Sequence, residues 1–187
     1  MLFHSLPVSL AFLRKNWDRC KIFILQRSRR HETAKRRKKN CMKREQILQR
    51  LGFTVGEKKK KRVLILSDIK TEADDPYAIV QHLLSPTEEV RGIIACHFES
   101  KFSKSERLAH LKGTSAQASY EEGRLLLELM EIEDVPLKKG AQYPLPRDGT
   151  LPESEGADLI IAEAMKEEDS PLYIACLGAL TDLAVAI

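Results

Sequence analysis

An apolar run, Val63-Leu64-Ile65-Leu66, empties into a loop that holds four acidic residues, Asp68, Glu72, Asp74 and Asp75. A short aliphatic and β-branched run bounded by polar residues reads as a buried strand. In an open α/β sheet, ligands bind just beyond the carboxyl ends of strands. Here that place is crowded with carboxylates. Crowded carboxylates raise one another's pKa unless a cation neutralises them. Oxygen-only donors suit a hard divalent ion, Ca²⁺ or Mg²⁺. The same residues also fit a capped, solvated loop, in which Asp74 or Asp75 caps a helix that has Pro76 at its first position. A cap uses one carboxylate and not four. On spacing alone both readings stand.

The rest of the chain alternates between short apolar runs and amphipathic stretches. The spacing predicts a short helix over 46–51 ended by Gly52, a charged linker over 57–61, and a helix over 75–84 that stops before Pro86. In that helix Ala78, Ile79 and Leu83 fall on one face. A strand follows over 90–96. Residues 98–115 are polar and read as a loop over the site, in the position of a lid. A strong helix over 116–131 carries a Leu125, Leu126, Leu129 stripe that belongs to the core. A short strand covers 135–138. A loop over 142–156 contains Pro144, Pro146 and Pro152. A helix over 157–166, a buried strand over 172–177 and a helix from Thr181 complete the pattern. Strands alternating with helices imply an α/β fold, a mostly parallel open sheet with helices on both faces.

Charge divides the chain. Residues 1–61 hold 19 Lys/Arg against 4 Asp/Glu, a net of +15; residues 62–187 hold 12 against 23, a net of −11. The two sum to the overall +4. This asymmetry describes a basic tail on an acidic globular part. The tail has a dense basic run over 27–39, which would meet nucleic acid or an anionic surface. It lacks the interleaved aromatics that stack on bases, which weighs against nucleic acid. The apolar stretch 6–13 is too short to span a membrane. Met42-Lys43-Arg44-Glu45-Gln46 reads as a natural start that opens a helix, which would leave residues 1–41 outside the native protein. The organisation expected is a basic segment over 1–41, a short helix and linker over 42–61, and a globular domain over 62–187. Cys20, Cys41, Cys96 and Cys176 show no paired spacing, and Cys96 and Cys176 fall in expected core strands. That fits a reducing, cytoplasmic setting.

The stretch Leu66-Ser67-Asp68-Ile69-Lys70-Thr71-Glu72-Ala73-Asp74-Asp75-Pro76-Tyr77-Ala78 resembles the N-terminal signature of the inosine/uridine-preferring nucleoside hydrolase family, an Asp-rich turn closed by an Asp-Asp pair. Three further stretches agree in order. Val90-Arg91-Gly92-Ile93-Ile94-Ala95 resembles the second core strand. Leu125 to Met130, with Asp134-Val135-Pro136-Leu137-Lys138-Lys139-Gly140-Ala141 after it, is similar to the next helix and strand. Pro171 to Ala184, which includes Gly178-Ala179-Leu180-Thr181-Asp182-Leu183-Ala184, is similar to a strand and a Gly-Pro-Leu-Thr-Asn turn. The resemblance covers residues 62–187. The chain also departs from the pattern. Leu66 stands for an Asp, Lys70 for a turn Gly, Ala179 for Pro and Asp182 for Asn. Cys96-His97-Phe98-Glu99 stands where a Gly-Asn pair holds the ribose.

The resemblance implies a Rossmann-like nucleoside hydrolase fold and cleavage of the N-glycosidic bond of a ribonucleoside, as in purine and pyrimidine salvage. Some relatives act on other glycosides. It implies a Ca²⁺ cofactor, ahead of Mg²⁺, with Asp68, Asp75 and the backbone carbonyl of Leu177 as metal ligands. Asp68 doubles as the general base, Asp74 binds sugar hydroxyls, and Glu72 and His97 are outer-shell candidates. On the plainer reading His97 is a surface-loop histidine. The implied partner is a small-molecule nucleoside or ribosyl substrate, with no membrane, and an intact version is compatible with a homo-oligomer. The family fold continues beyond residue 187, so the chain reads as a fragment or as a truncated, non-catalytic remnant. A sheet short of its later strands would expose an edge and aggregate. A phosphotransfer role for Asp68 would need a second Asp where Lys70 stands. The native N-terminus is expected at Met42; N-terminal sequencing that finds residues upstream of it overturns that start.

Overall fold

The computed structural model of the protein describes residues 43–71, 73–100 and 106–187. The expectations for the basic segment 1–41, for a start at Met42 and for Glu72 lie outside the described residues, as does part of the expected loop over 98–115. All the described residues belong to one unit, Met42–Ile187.

Four strands, β1 (Lys61–Ser67), β2 (Glu88–Ala95), β3 (Leu137–Lys139) and β4 (Leu172–Cys176), form one sheet in the order β3-β2-β1-β4. Every pairing is parallel. The described residues also form five α-helices: α1 (Arg44–Gln49), α2 (Asp75–Leu83), α3 (Ser115–Met130), α4 (Glu155–Ala164) and α5 (Thr181–Ala186). Two short 3₁₀ helices, Glu57–Lys59 and Glu106–Leu111, fill the expected linker and part of the expected loop.

The period of two along β1 builds both layers of the core. Val63 and Ile65 pack with Ile79, Val80 and Leu83 of α2 and with Leu126 and Leu127 of α3. Leu64 and Leu66 point the other way and pack with Ile160 of α4, backed by Leu183 of α5. Helices therefore cover both faces, as the alternating pattern requires. The chain moves outward from β1 through β2 to β3 with α2 and α3 on one face. It then returns across the sheet to β4 by way of α4. A reversal with one crossover hand places the returning helix on the opposite face, which is where α4 lies. The reversal creates a switch point between β1 and β4, the place where open α/β sheets bind ligands.

Three sequence expectations need correction. The buried leucines of α3 are Leu126 and Leu127, while Leu125 and Leu129 are half-buried. The stripe is turned by the close approach of Gly123 to Leu137 of β3. Strand β4 is half-exposed and not fully buried, because it is the edge strand among the described residues. Cys176, at its end, is accordingly exposed, whereas Cys96 is buried as expected.

Beneath the sheet, at the amino ends of its strands, Arg62 is buried in β1. Its guanidinium donates to the carbonyls of Glu163 and Ser170 and pairs with the carboxylates of Glu163 and Glu168. This ties β1 to the end of α4 and to the segment that leads into β4. Removing the guanidinium strips two carbonyls of their donor and, among the described residues, leaves Glu163 with Lys166 alone and Glu168 with Arg91 alone. Arg62→Leu is expected to cost about 3 kcal/mol, read as a lowered denaturant midpoint at constant slope. A midpoint equal to that of the parent would contradict the role given to Arg62.

Candidate functional site at the carboxyl ends of the strands

Asp68 is the first residue beyond β1 and only 2% exposed. The Thr71 hydroxyl lies 2.9 Å from its Oδ2 and 3.0 Å from its carbonyl, and the Thr71 amide donates to the same carbonyl at 2.9 Å. This tight turn fixes the Asp68 side chain. Asp75 opens α2 and is 6% exposed. The Ser67 hydroxyl donates to its Oδ2 at 2.5 Å. Asp74 occupies the cap position, is exposed, and makes no side-chain capping bond. Its carbonyl, not its carboxylate, receives the amides of Tyr77 and Ala78. The acidic loop thus does more than cap a helix: two of its carboxylates turn inward at the end of β1.

The turn after β4 comes to the same place. The amides of Leu177 and Gly178 both donate to the Leu66 carbonyl, at 2.7 and 3.1 Å. Gly178 lies so close to β1 that a Cβ there would sit 2.6 Å from the Asp68 amide nitrogen. Only glycine lets the two backbones approach this closely. Asp68, Asp75 and Leu177, three positions drawn from two distant segments, therefore gather at the β1/β4 switch point. Their donors are all oxygen, the chemistry a hard cation takes. Among the described residues, no three His, Cys, Asp or Glu side chains form a metal-holding group. Two carboxylates, those of Asp68 and Asp75, are buried here.

At the end of β2, one of the two readings of His97 falls. His97 is not a surface histidine; it is 3% exposed, and its Nε2 lies 2.8 Å from the Thr181 hydroxyl. Burial lowers its pKa, and the charges of Asp182, Glu99 and Asp68 offset part of that shift. Beside it, burial pushes the Cys96 thiol well up, and the neighbouring Asp182 adds to the effect.

Three residues to which the sequence reading gave no part in the site hold its rim together. Glu99 accepts from the Gly113 amide at 3.0 Å, the Ser115 hydroxyl at 2.6 Å and the Gln142 side-chain amide at 3.0 Å. Asp182, fully buried, accepts through Oδ1 from the Ala141 amide and the Ser154 hydroxyl, each at 2.6 Å. Thr181 meets His97. Asp182 was visible only as a departure from the family's Asn. An acidic residue within the otherwise apolar Leu-Thr-Asp-Leu-Ala run was the signal available.

The family described as "Cellulose-binding Sde182, nucleoside hydrolase-like domain" matches residues 62–187. The chain belongs to that family. The match establishes the nucleoside hydrolase-like part of the sequence resemblance at the level of the domain. Among solved structures, a nucleoside hydrolase-related hypothetical protein from Saccharophagus degradans, associated with carbohydrate metabolism, is similar at 20% identity and a TM-score of 0.39. The likeness covers 68% of this chain and 32% of that protein, so the chain spans about a third of its length. No curated protein matches. Within the described residues of this nucleoside hydrolase-like domain, no helix is long and apolar enough to cross a membrane.

The lowered pKa of His97 has a consequence for stability. The unfolded chain takes up the proton near the ordinary value of 6.5, before the folded protein does. Stability is therefore retained above that pH and lost as the pH falls below it toward the lower folded-state value. Denaturant midpoints are expected to drop between about pH 7.5 and 5, and a His97→Gln variant is expected to lose less over the same interval. Equal losses in the two proteins would show that His97 does not carry the effect.

Proposed function

We propose that this domain binds the hydroxyls of a sugar ring and hydrolyses the glycosidic bond at its anomeric carbon. The observation that carries this reading is the pair of inward-facing carboxylates, Asp68 and Asp75, set against the Leu177–Gly178 turn where the strand order reverses. Cleavage of a glycosidic bond passes through an oxocarbenium-like state, and nearby carboxylates stabilise its positive charge. Asp68, held by Thr71, is the general base that takes a proton from the attacking water. Asp74, exposed at the mouth of the loop, accepts hydrogen bonds from sugar hydroxyls. Burial of His97 keeps a neutral imidazole behind them, fixed by Thr181.

Asp68, Asp75 and the carbonyl of Leu177 would hold Ca²⁺, ahead of Mg²⁺, as an all-oxygen set. When bound, the cation would orient a water and lower its pKa.

The sequence resemblance supports a ribonucleoside of the inosine/uridine kind as substrate. A second substrate class, a saccharide, is favoured by the family description, which names a cellulose-binding protein. It is favoured also by Cys96-His97, which replaces the Gly-Asn pair that meets ribose in the resemblance. The test uses the full chain with purine and pyrimidine ribosides and with glucose oligomers, with and without Ca²⁺. Asp68→Asn is expected to reduce turnover about 10²–10⁴-fold, the usual worth of a positioned base. Turnover within tenfold of the parent would sink the assignment. Sugar binding by the parent without any turnover would make this a binding domain and not a hydrolase.

A further inference from the structure

We propose that residues 142–153, the loop between β3 and α4, form a glycan-binding rim in which the ring of Tyr143 stacks on a sugar unit beyond the one at Asp68. The inference rests on the sugar-directed reading above and extends its ligand from a single ring to a chain.

The loop leaves the carboxyl end of β3, on the same side of the sheet as Asp68. The strand order sets β3 two strands from β1, about 10 Å at the usual strand spacing. Its neck is closed by one oxygen: the Ala141 amide and the Ser154 hydroxyl converge on Asp182 Oδ1. Gln142, its first residue, is fastened to Glu99 and Ser115. Pro144, Pro146 and Pro152 restrict the backbone between these ends. A compact loop with its ends pinned together is a frequent carrier of function.

This pinned loop displays what a core would hide. Tyr143 is 56% exposed, Leu145 39% and Leu151 67%. Single exposed apolar residues are ordinary, but this loop carries three within nine positions, 143–151. The Tyr143 hydroxyl reaches the neighbouring loop, where a Cβ on Gly113 would lie 3.5 Å from it. The C–H groups on the faces of a β-linked pyranose make those faces apolar, while its hydroxyls project from the edge. An aromatic ring with polar neighbours matches that surface. Charge favours a neutral ligand: the loop has one basic residue, Arg147, against Asp148 and Glu153, which does not suit a polyphosphate.

The test measures binding of a β-1,4-glucose hexasaccharide and of a single-ring nitrophenyl glycoside to the full chain, its Tyr143→Ala and Tyr143→Phe variants, and Asp68→Asn. Tyr143→Ala is expected to weaken hexasaccharide binding about tenfold, with Tyr143→Phe within about twofold of the parent. The loss is expected to grow with ligand length and to be smaller for the single ring. No hexasaccharide binding by the parent, or equal binding by Tyr143→Ala, overturns the rim. If Asp68→Asn still abolishes turnover of the single-ring glycoside in that case, the site reading stands and only the rim falls. Tyr143-dependent hexasaccharide binding with turnover indifferent to Asp68 supports the rim and overturns the base.

Discussion

One carboxylate oxygen, Oδ1 of Asp182, joins three segments of the chain. It receives the amide that follows β3 and the hydroxyl that caps α4, from a residue in the first turn of α5. A buried carboxylate is costly unless hydrogen-bonded, and two donors at 2.6 Å meet its Oδ1. Gly140 has no side chain where a Cβ would collide with that carboxylate. Much of the site's rim follows from this arrangement. With Asp182 in place, Thr181 stands opposite His97, the 142–153 loop is closed, and the turn that carries Leu177 and Gly178 is anchored on both sides.

The elements themselves were legible in the sequence because each is written locally. The four short apolar runs became the four strands, and the amphipathic stretches became helices within a few residues of their expected ends. Asp68 and Asp75 were legible because a buried strand that runs straight into several carboxylates sets them where open sheets meet their ligands. What the sequence did not disclose depends on distant neighbours. Whether Leu125 or Leu127 faces inward depends on how α3 settles against β3. Whether β4 is buried depends on its rank in the sheet. His97 stood between an outer-shell candidate and a surface-loop histidine because its cover, Thr181, lies 84 positions away. Glu99 and Asp182 were hidden for the same reason, since their partners lie across loops that periodicity does not connect.

Four departures from the nucleoside hydrolase pattern have their own local fit. Lys70, in place of a turn glycine, pairs with Glu122 at 2.7 Å. Leu66, in place of an acid, lies wholly inside the core layer under α4. Asp182, in place of an amide, becomes the neck of the rim loop. His97 takes a hydroxyl partner where the resemblance would set an amide against ribose. Consistency of this kind across neighbouring positions marks a sequence adapted to its own packing.

Strand β4 pairs on one side only, with β1, among the described residues, and the Leu177–Gly178 turn hangs from its end. Edge strands open at lower free energy than central ones, as parts with fewer buried contacts do. The oxygen of Leu177 and the close seat of Gly178 on Asp68 are thus only as permanent as the ladder that holds β4. A ligand bound at the switch point would be thermodynamically linked to closure of the sheet margin. A strand added alongside β4 would tighten what Asp68 and Asp75 hold, and a ligand held there would in equal measure favour the added strand.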